Sequence, residues 1–366
     1  MKLNAVTIGL AALALVAGAG YASAETVSSD VGASFQSIGP LAFGPEGILF
    51  AADNKAATIY ALDLGSEASG KTPGAKDVPA IDQKIAAMLG TDVREISVTD
   101  LAIEPRSKNA FVSVERGPGA NLGTALLRID GEGTIDVVSL DKLKYTKVQI
   151  GNAPEADPSA RRDPRAATVT DMAFVNGRIF IAGLSNEEFA SKLRSVAYPF
   201  DKVDQGTSVE IYHGAHGQWE TRSPVYTFVP YDVDDEPHLI AGYLCTPLVK
   251  FPISKLEAGQ KLVGTTIAEL GNRNRPLDMI VYSKGGKDYL LMSNTSRGVM
   301  KIPTDDFGSQ EGITKHVPDG NQAGIAYETI AELEGVEQLD FYDEGHTILM
   351  SRTGSGALNL HKVALP

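Results

Sequence analysis

One stretch of this chain is written twice. Thr266 to Ile302 reads TIAELGNRNRPLDMIVYSKGGKDYLLMSNTSRGVMKI, and Thr329 to Val363 reads TIAELEGVEQLDFYDEGHTILMSRTGSGALNLHKV. Both copies open on Thr-Ile-Ala-Glu-Leu and then keep one order. A Gly leads into an apolar run, a polar turn, an apolar run ending in Met-Ser, a second polar turn and an alternating strand. Short runs of Val, Ile, Leu, Phe and Tyr bounded by Gly, Asn, Asp and Pro have the chemistry of strands. A supersecondary unit that recurs at a steady period marks a repeat architecture.

The same order of events is found about six times. The first unit is Ile38 to Leu64 and the second Val98 to Ile129. The third opens with VTDMAF at Val169 and reaches Ile211, the fourth holds HLIAGYLCTPLVKFPI at His238 to Ile253, and the pair above completes the set. Strands in radial repetition predict an all-β chain folded as a six-bladed β-propeller, typically with four strands to a blade. Ile81 to Leu89 (IDQKIAAML) is the one helical insertion, and Pro154 to Arg165 is a polar loop leading into the third unit. The sixth unit stops after its third strand, whereas Val27 to Phe35 precedes the first unit without a blade of its own. The expectation is that this N-terminal strand sits on the last blade, completing it and covering an exposed edge.

Lys2, the apolar run Val6 to Ala17 and Ala22-Ser23-Ala24 have the pattern of a cleavable signal peptide over residues 1–24. Residues 25–366 then form a single propeller domain, periplasmic or secreted. No later stretch has the length of a membrane span, so no membrane insertion is expected. Cys245 is the only cysteine, so the fold must stand without an internal disulfide. The net charge of −13 disfavours nucleic acid and anionic lipid and suits a cation or a basic partner, or solubility alone.

Within the first unit, Leu41-Ala42-Phe43, Gly44-Pro45-Glu46-Gly47 and Leu49-Phe50-Ala51-Ala52-Asp53 resemble the repeat of the NHL and SMP-30/gluconolactonase/strictosidine-synthase-like six-bladed propellers. The resemblance implies that architecture. Members of its lactonase branch hold a calcium ion at the channel mouth with Glu, Asn and Asp side chains. Those positions find no residue-by-residue match here, so the activity is not carried over.

Aligning the units places one residue at the entrance of each innermost strand, among them Pro40, Asp100, Asp171, Asp278 and Gln338. In a propeller such positions converge, and Asp100, Asp171 and Asp278 would then crowd one mouth. Carboxylates at close range cannot all ionise without a compensating cation, for which Ca2+ is the first candidate. The alternative is that each Asp caps its own turn through backbone N–H groups. A second aligned set ends the next strands: Asp53, Glu115, Arg116, Asn186, Tyr243, Asn294, Arg297 and Arg352. It forms a polar ligand-binding rim if it converges, and inter-blade ion pairs if it does not.

Three further features are weaker. Asp232 to His238 is an acidic run with the character of a solvated loop. His213-Gly-Ala-His216 has ligand-type side chains in a hairpin turn but no partner cluster in the sequence. Cys245 follows an apolar run, as an inert core thiol does. The Gly-x-Ser-x-Gly, His-Glu-x-x-His, Cys-x-x-Cys-His and phosphate-loop patterns are missing, and Trp219 is the only tryptophan. Three functions follow: a binder of a small polar ligand or divalent cation at the channel mouth, a metal-dependent hydrolase of the lactonase or esterase type, or a scaffold for a protein partner.

Overall fold

The computed structural model describes residues 28–117, 123–201, 203–245 and 247–366; the expected leader lies outside them. The protein is all-β and forms a six-bladed propeller. In chain order, the blades begin with the inner strands Leu41–Phe43, Ile96–Ile103, Asp171–Val175, Val225–Val233, Pro276–Lys284 and Val336–Asp343. The helix Ile81–Leu89 is where the sequence put it, with Ile81 and Ile85 fully buried. Asn176 and Gly177 take φ values of 48° and 78°, the paired left-handed turn that joins two strands most tightly. No helix among the described residues is long and apolar enough to cross a membrane.

Six apolar clusters lie between neighbouring blades, and they give the order around the axis. Leu49 and Phe111 join the first blade to the second, and Phe50 and Ile179 join the first to the third. Phe180 and Val249 join the third to the fourth, Ile240 and Met292 the fourth to the fifth, and Leu291 and Leu349 the fifth to the sixth. Val112 and Met350 then pack the second blade against the sixth. The ring therefore runs second, first, third, fourth, fifth, sixth, and back to the second. Each blade is buried on both faces, so the middle strands read as continuous apolar runs, such as Ile48–Asp53 (ILFAAD).

Closure differs from the sequence expectation. The strand Ser28–Val31 pairs with Lys144–Gln149 on the outer edge of the first blade, not the last. Lys144–Gln149 follows the whole second blade in sequence, so the chain steps back to finish a blade it had left. The sixth blade keeps three strands. Its open edge is covered by Val78, which exchanges two backbone hydrogen bonds with Leu360 (2.9 and 3.0 Å), and by the adjoining helix. An exposed edge needs cover, and a short segment supplies it as well as a strand would.

The repeated pentapeptide also finds its place. Thr266 to Glu269 lies in the outer strand of the fourth blade, and Thr329-Ile330 in that of the fifth. The duplicated unit is therefore one outer strand plus the following blade.

Candidate functional site at the channel mouth

The inner strands line an axial channel with a mouth on each side. One mouth opens into a cavity of 610 Å³ to which all six blades contribute, through Pro40, Asp100, Asp171, Thr227, Asp278 and Gln338. Four of these strands break register just before the axial residue, between Val98 and Asp100, Val225 and Thr227, Pro276 and Asp278, and Val336 and Gln338. A bulge re-aims the side chain that follows it. Recurring at one level, it turns distant residues toward a common centre.

Asp100, Asp171 and Asp278 converge as the alignment expects, and each is held by two backbone N–H groups. Asp100 accepts from Leu101 (2.9 Å) and from Leu41 of the next blade (2.6 Å). Asp171 accepts from Met172 (2.7 Å) and from Phe228 of the next blade (2.7 Å). Asp278 accepts from Met279 (2.8 Å) and Leu339 (2.9 Å), again across a blade boundary. The carboxylates are thus caps for their own strands and clamps between blades. Gln338 sits among them, its amide oriented by its surroundings to donate to Asp100 Oδ1 (2.9 Å) and Asp278 Oδ2 (3.2 Å).

A fourth carboxylate escaped the alignment because it lies two residues beyond Gln338, one pleat deeper. Asp340 accepts from Phe341 (2.7 Å) and from Ile103 of the second blade (2.6 Å), so a clamp spans the closing boundary of the ring. Burial pushes the Asp171 and Asp340 carboxyls up to about 6, against the opposing pull of their N–H donors. Asp100 and Asp278 are held well above the ordinary range, by burial first and by their charged neighbours with it. A ring of such groups favours protonation, or a cation, in the channel.

Above this acidic floor the mouth is basic. Lys55, Arg162, Arg165 and Arg275 line the cavity with Tyr226 and outnumber the carboxylates beside them, Asp163 and Glu115. Arg165 is committed to structure, donating to the carbonyls of Asn54 (2.9 Å), Lys55 (2.8 Å) and Pro154 (3.0 Å). Arg275 lies over the Tyr226 ring (4.7 Å), and Arg162 reaches the Tyr226 hydroxyl at 3.3 Å. Arg162, Arg275 and Lys55 keep exposed side chains. Arg162 and Arg165 belong to the polar loop read before the third unit; only their charge in a Pro-rich loop signalled them.

Of the second aligned set, only Glu115 lines this cavity. Burial raises its carboxyl, against the pull of Lys55. Asp53 is fully buried and accepts from Gln36 N (2.6 Å), Ser37 N (3.1 Å), Ser37 Oγ (2.8 Å) and Ala56 N (3.0 Å). Asn294 likewise caps its turn through Arg297 N (2.8 Å), while Arg297 Nη1 donates to the Asn272 carbonyl (3.0 Å). Tyr243 is buried in the core between the third and fourth blades. Arg116 reaches the Leu89 carbonyl (2.8 Å), Asn186 is exposed, and Arg352 pairs with Glu337 of its own blade (2.6 Å). Strand ends diverge with distance from the axis, so alignment in sequence brings these residues to one end of the blades without gathering them. The acidic run is a hairpin and not a loop: it lies at the ends of Val225–Val233 and Glu236–Tyr243 and turns at Asp234-Asp235.

No family model matches the chain, and no curated protein matches it. Among solved structures it is similar to the PQQ-bound aldose sugar dehydrogenase of Streptomyces coelicolor, at 11% identity over 93% of this chain and 99% of that one, with a TM-score of 0.34. It is also similar to a hypothetical protein from Leishmania major, at 9% identity over 74% and 86% of the two chains, with a TM-score of 0.36. A luciferin-regenerating enzyme aligns at 11% identity over 93% and 96%, with a TM-score of 0.30. At these scores the likenesses carry no argument about chemistry, and the fold rests on the strand pairings above.

Proposed function

We propose that the protein is an exported propeller that binds a small polar ligand at the basic-rimmed mouth. The observation that carries this reading is a 610 Å³ cavity with Asp100, Asp171, Asp278 and Gln338 as its floor and Lys55, Arg162 and Arg275 as its rim. A concavity with a few convergent polar groups is the usual form of a small-molecule site. A ligand with hydroxyl groups toward the floor and an anionic group toward the rim meets both halves. Calorimetric titration with a hexuronate and the matching neutral hexose tests it. Saturable binding of the acid, weakened when Arg162 and Arg275 are replaced by Ala, supports the reading, and no heat with either sugar counts against it.

The raised carboxyls favour a second reading, in which a divalent cation, Ca2+ first, occupies the floor. An ion there would offset the burial, and the smaller repulsion between neighbours, that keep these groups from ionising. The test is a calcium-dependent rise in melting temperature that is lost when Asp100, Asp171 and Asp278 are replaced together by Asn. A triple variant that responds like the parent removes this reading. Hydrolysis of a lactone that ceases with EDTA would turn it into the hydrolase of the sequence expectation.

A further inference from the structure

We infer that His213, His216 and Cys245 form a second site, for a transition-metal ion with zinc(II) as the first candidate, at the seam between the third and fourth blades. A ring nitrogen of each histidine and the Cys245 sulfur all lie within 4.8 Å of one another. His213 ends the strand Thr207–His213, and the turn that follows returns His216 to it, with Gly217 N donating to the His213 carbonyl at 2.8 Å. The two imidazoles lie 3.8 Å apart. Cys245 comes from the fourth blade, in the turn after Glu236–Tyr243, fixed by its N–H on the Asn274 carbonyl (2.8 Å).

Two observations separate this cluster from an ordinary pair of hydrogen-bonded histidines. Glu220 meets both Nδ1 atoms, His213 at 3.0 Å and His216 at 2.5 Å, and also accepts from Ser223 Oγ at 2.5 Å. A carboxylate on Nδ1 is the outer support typical of metal-bound histidine, fixing the ring and leaving Nε2 as the ligand. His213 Nε2 is such an atom, on a side chain 2% exposed and with no hydrogen-bond partner among the described residues. Glu269 stands against the same turn, fully buried, with Oε1 on Gly214 N (2.5 Å) and Oε2 without a described partner. A buried polar atom without a partner is costly, so two beside one turn call for an explanation. A bound ion supplies it for His213 Nε2, with a water completing four ligands.

The donor set selects the metal. Two imidazoles and a thiolate suit zinc, cobalt or copper and not calcium, whereas the all-oxygen floor of the axial cavity has the opposite preference. Ligand bonds of about 2.0–2.3 Å in a tetrahedron need the donors to close by about 1 Å from the present limit of separation, within reach of side-chain rotation.

The test is a cobalt(II) titration of the metal-stripped full chain, followed by displacement with zinc(II). One equivalent of cobalt should produce a thiolate-to-metal charge-transfer band, and zinc should abolish it and raise the melting temperature. Cys245→Ser should lose the band and bind zinc at least tenfold more weakly. His216→Ala, at an exposed position, should weaken zinc to a similar extent with the fold intact, which keeps the test decisive if the cysteine variant misfolds. Glu332→Gln, at an exposed position on the fifth blade, should leave zinc binding unchanged. Absence of the band in the parent, its survival in Cys245→Ser, undiminished affinity in His216→Ala, or loss of zinc in Glu332→Gln would each overturn the site.

Discussion

The axis and the seam between the third and fourth blades both gather metal-capable side chains, yet they are built on opposite terms. On the axis, all four carboxylates take one backbone N–H from their own strand and another across a blade boundary. At the seam, His213 Nε2 and Glu269 Oε2 are buried without a described partner. Carboxylates that converge are therefore not by that fact a vacant site. Acceptors already bound to the backbone hold a fold, and orphaned ones await something. Substitution should separate the two regions sharply.

The largest effect is expected from Asp100→Ala. It strands the N–H groups of Leu41 and Leu101 and releases the first blade from the second. Each buried donor left unpaired costs about 1–3 kcal/mol, so urea unfolding should show a loss of roughly 2–6 kcal/mol. Cys245→Ala, in metal-free protein, should cost less than about 1 kcal/mol, because its sulfur is part-exposed and makes no hydrogen bond among the described residues. If the two variants lose stability equally, the contrast between axis and seam fails.

The pH dependence comes next. Asp171 and Asp340 are raised from 3.8 to about 6, so the folded chain binds their protons more tightly than the unfolded chain does. The stability this contributes is complete below about pH 4 and is lost as the pH rises through 6, by about 3 kcal/mol for each group. Stability of the cation-free protein should therefore fall between pH 4 and 7. Asp171→Asn should flatten that slope, whereas Cys245→Ala should not. An unchanged slope in Asp171→Asn would show that this carboxyl ionises as freely in the fold as in water.

The sequence revealed the architecture and three of the four axial carboxylates, and the reasons are physical. A blade is local in the chain, so its apolar runs and turns stand in order and six of them can be counted. Asp100, Asp171 and Asp278 were legible because one structural level repeats once per blade. Asp340 was not, since it lies a pleat deeper, where the repeat predicts nothing. Ring order was hidden as well. It depends on Lys144–Gln149 returning to the first blade, and a strand states no partner in its own residues. The seam was out of reach for the same reason: Cys245 and His213 are neighbours only because two blades stack.

The duplicated pentapeptide sharpens this point. In the first copy Glu269 is fully buried beside His213, whereas in the second its counterpart Glu332 is exposed on the fifth blade. Identical letters thus have opposite environments. Glu269→Gln in metal-free protein should be neutral or stabilise by up to about 1 kcal/mol, because it removes a buried charge that lacks full compensation. The same change at Glu332 should do nothing measurable. A loss of stability in Glu269→Gln without metal would mean that Oε2 already has a structural partner.

The smallest effect on stability, and the most telling for the mouth, concerns the rim. Arg162 offers one 3.3 Å contact to the Tyr226 hydroxyl, and Arg275 one stacked contact with the same ring. An exposed cation over an aromatic face contributes about 0.5–1 kcal/mol, so the double variant Arg162→Ala, Arg275→Ala should stay within about 1 kcal/mol of the parent. The floor holds the blades together and cannot be altered without cost, while the rim holds almost nothing. Charges that the fold does not need remain available to a ligand. The double variant should therefore lose hexuronate binding while keeping its melting temperature. If it instead unfolds early and binds the acid as before, the rim is structural and the division of labour proposed for this mouth is reversed.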